Sequence, residues 1–136
     1  MRLNVGSLAS EKLCQIVVKG MQEKKAEEIV VLDLREVKNS ISDFFVICSG
    51  NSDTQIEAIA QSIEEQVYKI DQENPWHIEG LNNKLWVLID YVDVVAHVFN
   101  NKEREFYNLE SLWGDAKIEV IEDELSPSIK NKKNNG

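Results

Sequence analysis

The chain has 136 residues, 43% of them hydrophobic, and a formal charge of −9. That length suffices for one domain that removes roughly two-thirds of its unfolded surface from water, and no apolar run approaches the ~18 residues of a membrane span. The negative excess lies entirely in residues 1–115, since residues 116–136 hold four basic and four acidic side chains; a domain so charged is repelled by phosphate backbones and drawn to basic protein surfaces, so little direct nucleic-acid contact is expected.

The N-terminus, Met-Arg-Leu-Asn-Val-Gly-Ser, shows neither a long apolar segment nor a small-residue cleavage site, which predicts a cytoplasmic protein with no membrane contact. From Ser10 to Lys25, Leu13, Ile16, Val17 and Met21 recur at spacings of three and four, and predict a first helix with one buried face. Glu28 to Leu34 and Asp43 to Ser49 are short runs rich in β-branched residues and read as two strands joined by REVKNSIS. Cys14 and Cys48 sit in apolar stretches without a CxxC pairing, so buried free thiols are expected. Ser52-Asp53-Thr54-Gln55 is a capping box, and the stripe Ile56, Ile59, Ala60, Ile63, Val67, Ile70 carries a second helix from it to about Asn74-Pro75.

Lys84 to Phe99 is apolar at nearly every position except Asp90, Asp93 and His97, as expected of strands covered on both faces. It is too long for one strand. A hairpin centred between Tyr91 and Val92 pairs Asp90 with Asp93, Leu88 with Val95 and Trp86 with His97, which places two carboxylates, an indole and an imidazole on one face. Phe106, Leu109, Leu112 and Trp113 then repeat at helical spacing. After Ala116 the chain becomes acidic IEVIEDE and then SPSIKNKKNNG, where little can be buried; residues 1–116 are expected to form the domain and 117–136 a polar, flexible tail.

Several groupings invite chemistry. Asp90, Asp93 and His97 are residue types that serve as general bases or metal ligands, yet a metal needs three or four convergent ligands and only His77 and His97 are available as histidines. Polar tips of a hairpin are the simpler expectation. Gly50-Asn51-Ser52, between a strand and a helix, could cradle phosphate, but lacks the lysine and glycine spacing of a P-loop; a helix cap accounts for it. Cys48 has no neighbouring base in sequence to activate it. No catalytic residue, metal or cofactor is expected. Trp86, Tyr107 and Trp113 are candidate aromatic anchors of an interface.

The segments DFFVICSGNS (43–52), Gln55, Glu79-Gly80, WVLIDY (86–91), DVV (93–95), HVF (97–99) and REFYNLESLW (104–113) together resemble the Iojap family of ribosomal silencing factors. The resemblance runs from the first helix to Ala116 in the same order, with one departure: Val92 stands where the family pattern usually has glycine, which predicts a wider hairpin turn. It implies a single α/β domain whose mixed sheet is flanked by helices, a nucleotidyltransferase-like fold without that fold's catalysis. It also implies a factor that binds the large ribosomal subunit through its fourteenth protein, obstructs joining of the small subunit and represses translation when nutrients are scarce, with a role in large-subunit assembly as well. Trp86, Asp90, Tyr91, Asp93, His97, Tyr107 and Trp113 are then the expected partner-binding residues, and a homodimer is a candidate free form. Two alternatives remain open at this point. One is a nucleotidyltransferase-like enzyme using the Gly50–Ser52 loop and Asp90/Asp93, although its carboxylates should be one residue apart rather than three. The other is an acidic adaptor for another partner.

Overall fold

The structure is a computed structural model that describes residues 5–107 and 114–122. Its elements run α1 (Val5–Glu23), β1 (Glu27–Asp33), β2 (Phe44–Gly50), α2 (Asp53–Asp71), β3 (His77–Glu79), β4 (Trp86–Asp90), β5 (Val94–Asn100), α3 (Asn101–Tyr107) and β6 (Lys117–Val120). The six strands form one sheet in the order β3-β4-β5-β2-β1-β6. Only β2 and β5 pair in parallel, the other neighbours being antiparallel, so the sheet is mixed. This is the α/β architecture expected of the sequence. Among the described residues no helix is long and apolar enough to cross a membrane.

Both long helices lie on one face of the sheet. The stripe of α1 is buried as its spacing requires, with Val17 and Met21 wholly inaccessible, and it meets Ile56, Ile59, Ile63 and Val67 of α2 in the same cluster. The helices come together at Gly20: a Cβ there would lie 2.9 Å from the Cα of Ile63, so only glycine permits the approach. Ser62 Oγ donates to the Gly20 carbonyl at 2.7 Å across the same crossing. Strand residues Val31, Val46, Cys48, Val87, Ile89, Val94, Ala96 and Val98 complete this core from below.

The start of α2 follows the capping box. The Ser52 hydroxyl accepts from the Gln55 amide at 3.1 Å, which satisfies an amide the helix leaves unpaired, and the Gln55 side chain reaches back to accept from the Asn51 amide at 2.7 Å, just before the cap. At its other end Gln72 takes the left-handed conformation and its amide donates to Tyr68, which closes the last turn.

The expected boundary at Ala116 is displaced. Residues 117–120 form β6, paired antiparallel with β1 from Val30↔Val120 to Asp33↔Lys117, and Ile121 packs against the helix-side core. Lys117 to Glu122 looks too polar to fold alone, but an edge strand gains its hydrogen bonds from the neighbour and can leave both faces in water. The rest of the expected tail lies outside the described residues. Strand β3 is also new, because a three-residue edge is too short to show periodicity.

Candidate partner-binding site

The second face of the sheet is built by the alternate residues of the same strands, and of the expected residues it carries Trp86, Asp90 and His97. Strands β4 and β5 do form a hairpin, but its register is Trp86↔Phe99, Leu88↔His97 and Asp90↔Val95. The expected pairing of Trp86 with His97 and of Asp90 with Asp93 is therefore two residues out. The turn is wider for a local reason. Asp90 Oδ1 accepts from the Val92 amide at 2.7 Å, the Asp93 amide donates to the Tyr91 carbonyl at 2.9 Å, and the Tyr91 amide donates to Val94 at 2.9 Å. The bond from Asp93 to Tyr91 spans a γ-turn with Val92 at its centre, at φ 76, a conformation that is strained for any residue with a Cβ.

Trp86 and His97 still meet, as diagonal neighbours. Trp86 Nε1 donates to His97 Nδ1 at 3.0 Å, so the imidazole accepts there and carries its proton on Nε2. Phe99 stacks on Trp86 with centroids 5.0 Å apart, and Phe45, brought in by the parallel pairing of β2 with β5, sets its ring at 61° to His97 at 4.6 Å. His97 is 3% exposed and its Nε2 has no partner among the described residues. Burial pushes its pKa down to about 3, because the apolar surroundings disfavour the imidazolium. It is a neutral hydrogen-bond acceptor that orients the indole, not a proton carrier near neutral pH. Trp86 itself is half-buried, with Leu88 and Asp90 following it along the same face.

The other expected residues separate. Tyr91 is buried on the helix side, 4% exposed, and its pKa is raised, first by burial and then by Glu64 and Glu73. It is not a surface contact. The Asp90 carboxylate is occupied by the Val92 amide, and Asp93 is exposed beyond the turn. Neither carboxylate joins His97, and no group of three potential metal ligands occurs among the described residues. Tyr107 ends α3, where only the backbone is described, and Trp113 lies outside the described residues.

The two halves of the alternative enzyme site lie apart. In the parallel pair Phe44 faces Val94 and Gly50 faces Asn100, so the Gly50–Ser52 loop and the Asp90–Asp93 turn sit at opposite ends of β2, on the order of 20 Å apart at ~3.3 Å per residue. The loop is also bound internally: Asn51 donates to Glu27 at 2.9 Å and accepts from Asn101. A carboxylate beside it makes a poor phosphate cradle. A Cβ on Gly50 would lie 2.9 Å from Ile56, which accounts for its glycine by helix packing. Cys48 lies wholly buried with its pKa raised by desolvation, and Cys14 is pushed up to about 12 for the same reason.

Arg104 was not anticipated. It is buried and donates to the Glu28 carbonyl at 2.8 Å and to Ser49 Oγ at 2.9 Å, which ties α3 to the β1 irregularity where Glu28 has φ 52. Phe45 and Phe99 were likewise missed as companions of His97; alternation along each strand would show their face, but not that β2 runs beside β5.

The profile of the family described as "Ribosomal silencing factor during starvation" matches residues 7–136. A ribosomal silencing factor of Halalkalibacterium halodurans is 43% identical over 122 residues, which cover 88% of this chain and all of that protein. The factor of Bacillus subtilis is 41% identical over 111 residues, 79% of this chain and 90% of its own length. Among solved structures, one from Bacillus halodurans superposes with a TM-score of 0.68 at 38% identity, covering 82% of this chain and 98% of its own. A protein from Chromobacterium violaceum gives 0.72 at 26% identity, covering 87% and 97%.

Proposed function

Because the chain belongs to the family of ribosomal silencing factors, we propose that it binds the large ribosomal subunit through the fourteenth protein of that subunit, blocks joining of the small subunit by its bulk, and thereby represses translation in the cytoplasm. The observation that carries this reading is the pairing of a charge of −9 with the half-buried indole of Trp86, held by His97 and Phe99 on the sheet face away from the long helices. An acidic domain is attracted to a basic ribosomal protein and repelled by bare rRNA. An indole held in one orientation loses little entropy on burial in a partner, the usual property of an interface anchor. Trp86 at one end of β4 and the exposed Asp93 beyond its other end are the contacts of choice, with Asp90 beside Asp93 at the turn; Tyr91 and His97 act beneath the surface. No chemical step is required of the chain, since the function is binding itself.

The reading is tested by mixing the purified chain with purified subunits. Co-sedimentation with large subunits, and a saturable fall in the yield of joined ribosomes, are expected. Unchanged joining at saturating protein would overturn the proposal. Metal-dependent nucleotide transfer that is lost in Asp90→Ala would instead favour the enzyme.

A further inference from the structure

Three connections meet at the end of the sheet opposite the Gly50–Ser52 loop. Ser42 Oγ donates to the Val92 carbonyl at 2.9 Å, the Asp43 and Phe44 amides donate to the Asp93 carbonyl at 2.7 and 3.1 Å, and the Trp76 amide donates to the Asp90 carbonyl at 2.8 Å. The β1–β2 loop, the β4–β5 turn and the segment between α2 and β3 are thus fastened together. Each leaves one large apolar side chain in water: Ile41 is 93% exposed, Trp76 77% and Val92 52%. Single exposed apolar residues are ordinary, but three gathered at one end of a small domain, one of them an indole, mark an interaction surface.

Val92 supplies an independent reason. A β-branched residue at φ 76 costs stability, and glycine would occupy the turn without strain. The turn is nevertheless over-determined by bonds from Asp90, Ser42, Asp43 and Val94. Strained residues held by an over-determined turn cluster at functional sites.

The surroundings of these side chains are acidic. The carboxyl of Glu73 has its pKa raised, by desolvation first and then by Asp71 and Asp93, so three carboxylates crowd this end. Beneath them the buried hydroxyl of Tyr91 has no hydrogen-bond partner among the described residues and lies within reach of the fields of Glu64 and Glu73. Lys12 pairs with Asp71 at 3.5 Å from an otherwise exposed position. Like charges gathered around an apolar patch are relieved by a cationic partner.

We infer that the end formed by Ile41, Trp76 and Val92, rimmed by Asp71, Glu73 and Asp93, docks a protein segment that presents an apolar side chain flanked by lysine or arginine. The inference rests on the binding of the large subunit proposed above: the segment then belongs to a ribosomal protein, and the contact extends from Trp86 along β4 to the turn. Phosphate backbone is disfavoured there by the carboxylates.

Purified large ribosomal subunits are the probe, titrated by co-sedimentation with the parent chain, an Ile41→Ser/Trp76→Ser double variant, Glu73→Lys and Trp86→Ala, each also melted alone. The double variant should melt like the parent, since both side chains are exposed, and need at least tenfold more protein for half-saturation. Glu73→Lys should associate several-fold more slowly, with a weaker dependence on salt. If both bind as the parent does while Trp86→Ala does not, this surface is wrong and subunit binding stands. If the parent fails to sediment with the subunit, both readings fall. Should the double variant melt early, Glu73→Lys, at an exposed carboxylate, decides alone.

Discussion

The two faces of the sheet are made by alternate residues of the same strands, yet they do different work. Under the helices, β2 and β5 contribute Val46, Cys48, Val94, Ala96 and Val98, side chains without a strong hydrogen-bonding group, closed over by α1 and α2. On the other face the same two strands contribute Phe45, His97 and Phe99, and β4 adds Trp86; here the packing includes a directed hydrogen bond and ring stacking. An apolar core tolerates any arrangement that fills its volume. A buried donor and acceptor must meet at one geometry or lose both their water and each other. The first face therefore holds the helices on the sheet, while the second, which has its own buried cluster of Val30, Leu32, Leu34, Ile47 and Phe99, also holds the Trp86 surface in a particular shape.

The largest effect expected is on the helix side. Ile63→Ala removes a wholly buried side chain at the α1–α2 crossing and should cost about 2–5 kcal/mol in denaturant unfolding. Subunit binding measured below the melting temperature should be nearly unchanged. A binding loss as large as the stability loss would mean that the two faces are not separable.

On the second face, Trp86→Phe keeps a ring to stack on Phe99 but deletes the N–H, leaving His97 Nδ1 without its donor. About 1–3 kcal/mol of stability should be lost, and binding should weaken beyond that. Trp86→Ala adds the loss of packing. If binding follows stability alone across the pair, Trp86 is a core residue and not an anchor.

His97 separates the faces by pH. Its pKa is about 3 in the folded chain, below the ordinary value of 6.5. The unfolded chain therefore binds the extra proton first, and the stabilisation present above pH ~6.5 is lost as pH falls toward the folded value. While only the unfolded form is protonated, the slope approaches ~1.4 kcal/mol per pH unit. In His97→Phe, stability should fall less between pH 7 and 5 than in the parent, by about 1 kcal/mol per pH unit on average because the unfolded imidazole is only partly protonated near pH 7; equal slopes would place solvent at the imidazole.

The smallest effect lies at the turn that joins β4 to β5. Val92→Gly should relieve the positive φ and raise stability by about 0.5–1 kcal/mol, the relief being partly offset by glycine's greater freedom when unfolded. A thermal melt below that of the parent would show that the valine packs usefully in spite of its strain.

Much of this was legible in order along the chain. Periodicity of 3.6 marked the buried stripes of α1 and α2, the Ser52–Gln55 spacing marked where α2 begins, and runs of β-branched residues marked β1, β2 and the β4–β5 pair, since each signal arises between residues close in sequence. The segments from DFFVICSGNS to REFYNLESLW resemble the family as sequence alone. What only the tertiary structure decided depends on partners distant in the chain. The hairpin register slipped by two because the Asp90 carboxylate and the bonds from Ser42 and Asp43 impose a γ-turn that no turn rule assigns to valine. Lys117–Val120 became a strand because β1 offered an open edge. Tyr91 and His97, equally plausible as surface residues by alternation, were buried because helices cover one side and aromatic rings the other. Local sequence specifies which elements form and which way their side chains alternate; which neighbour each face meets is set by the pairing of strands that are not adjacent in the chain.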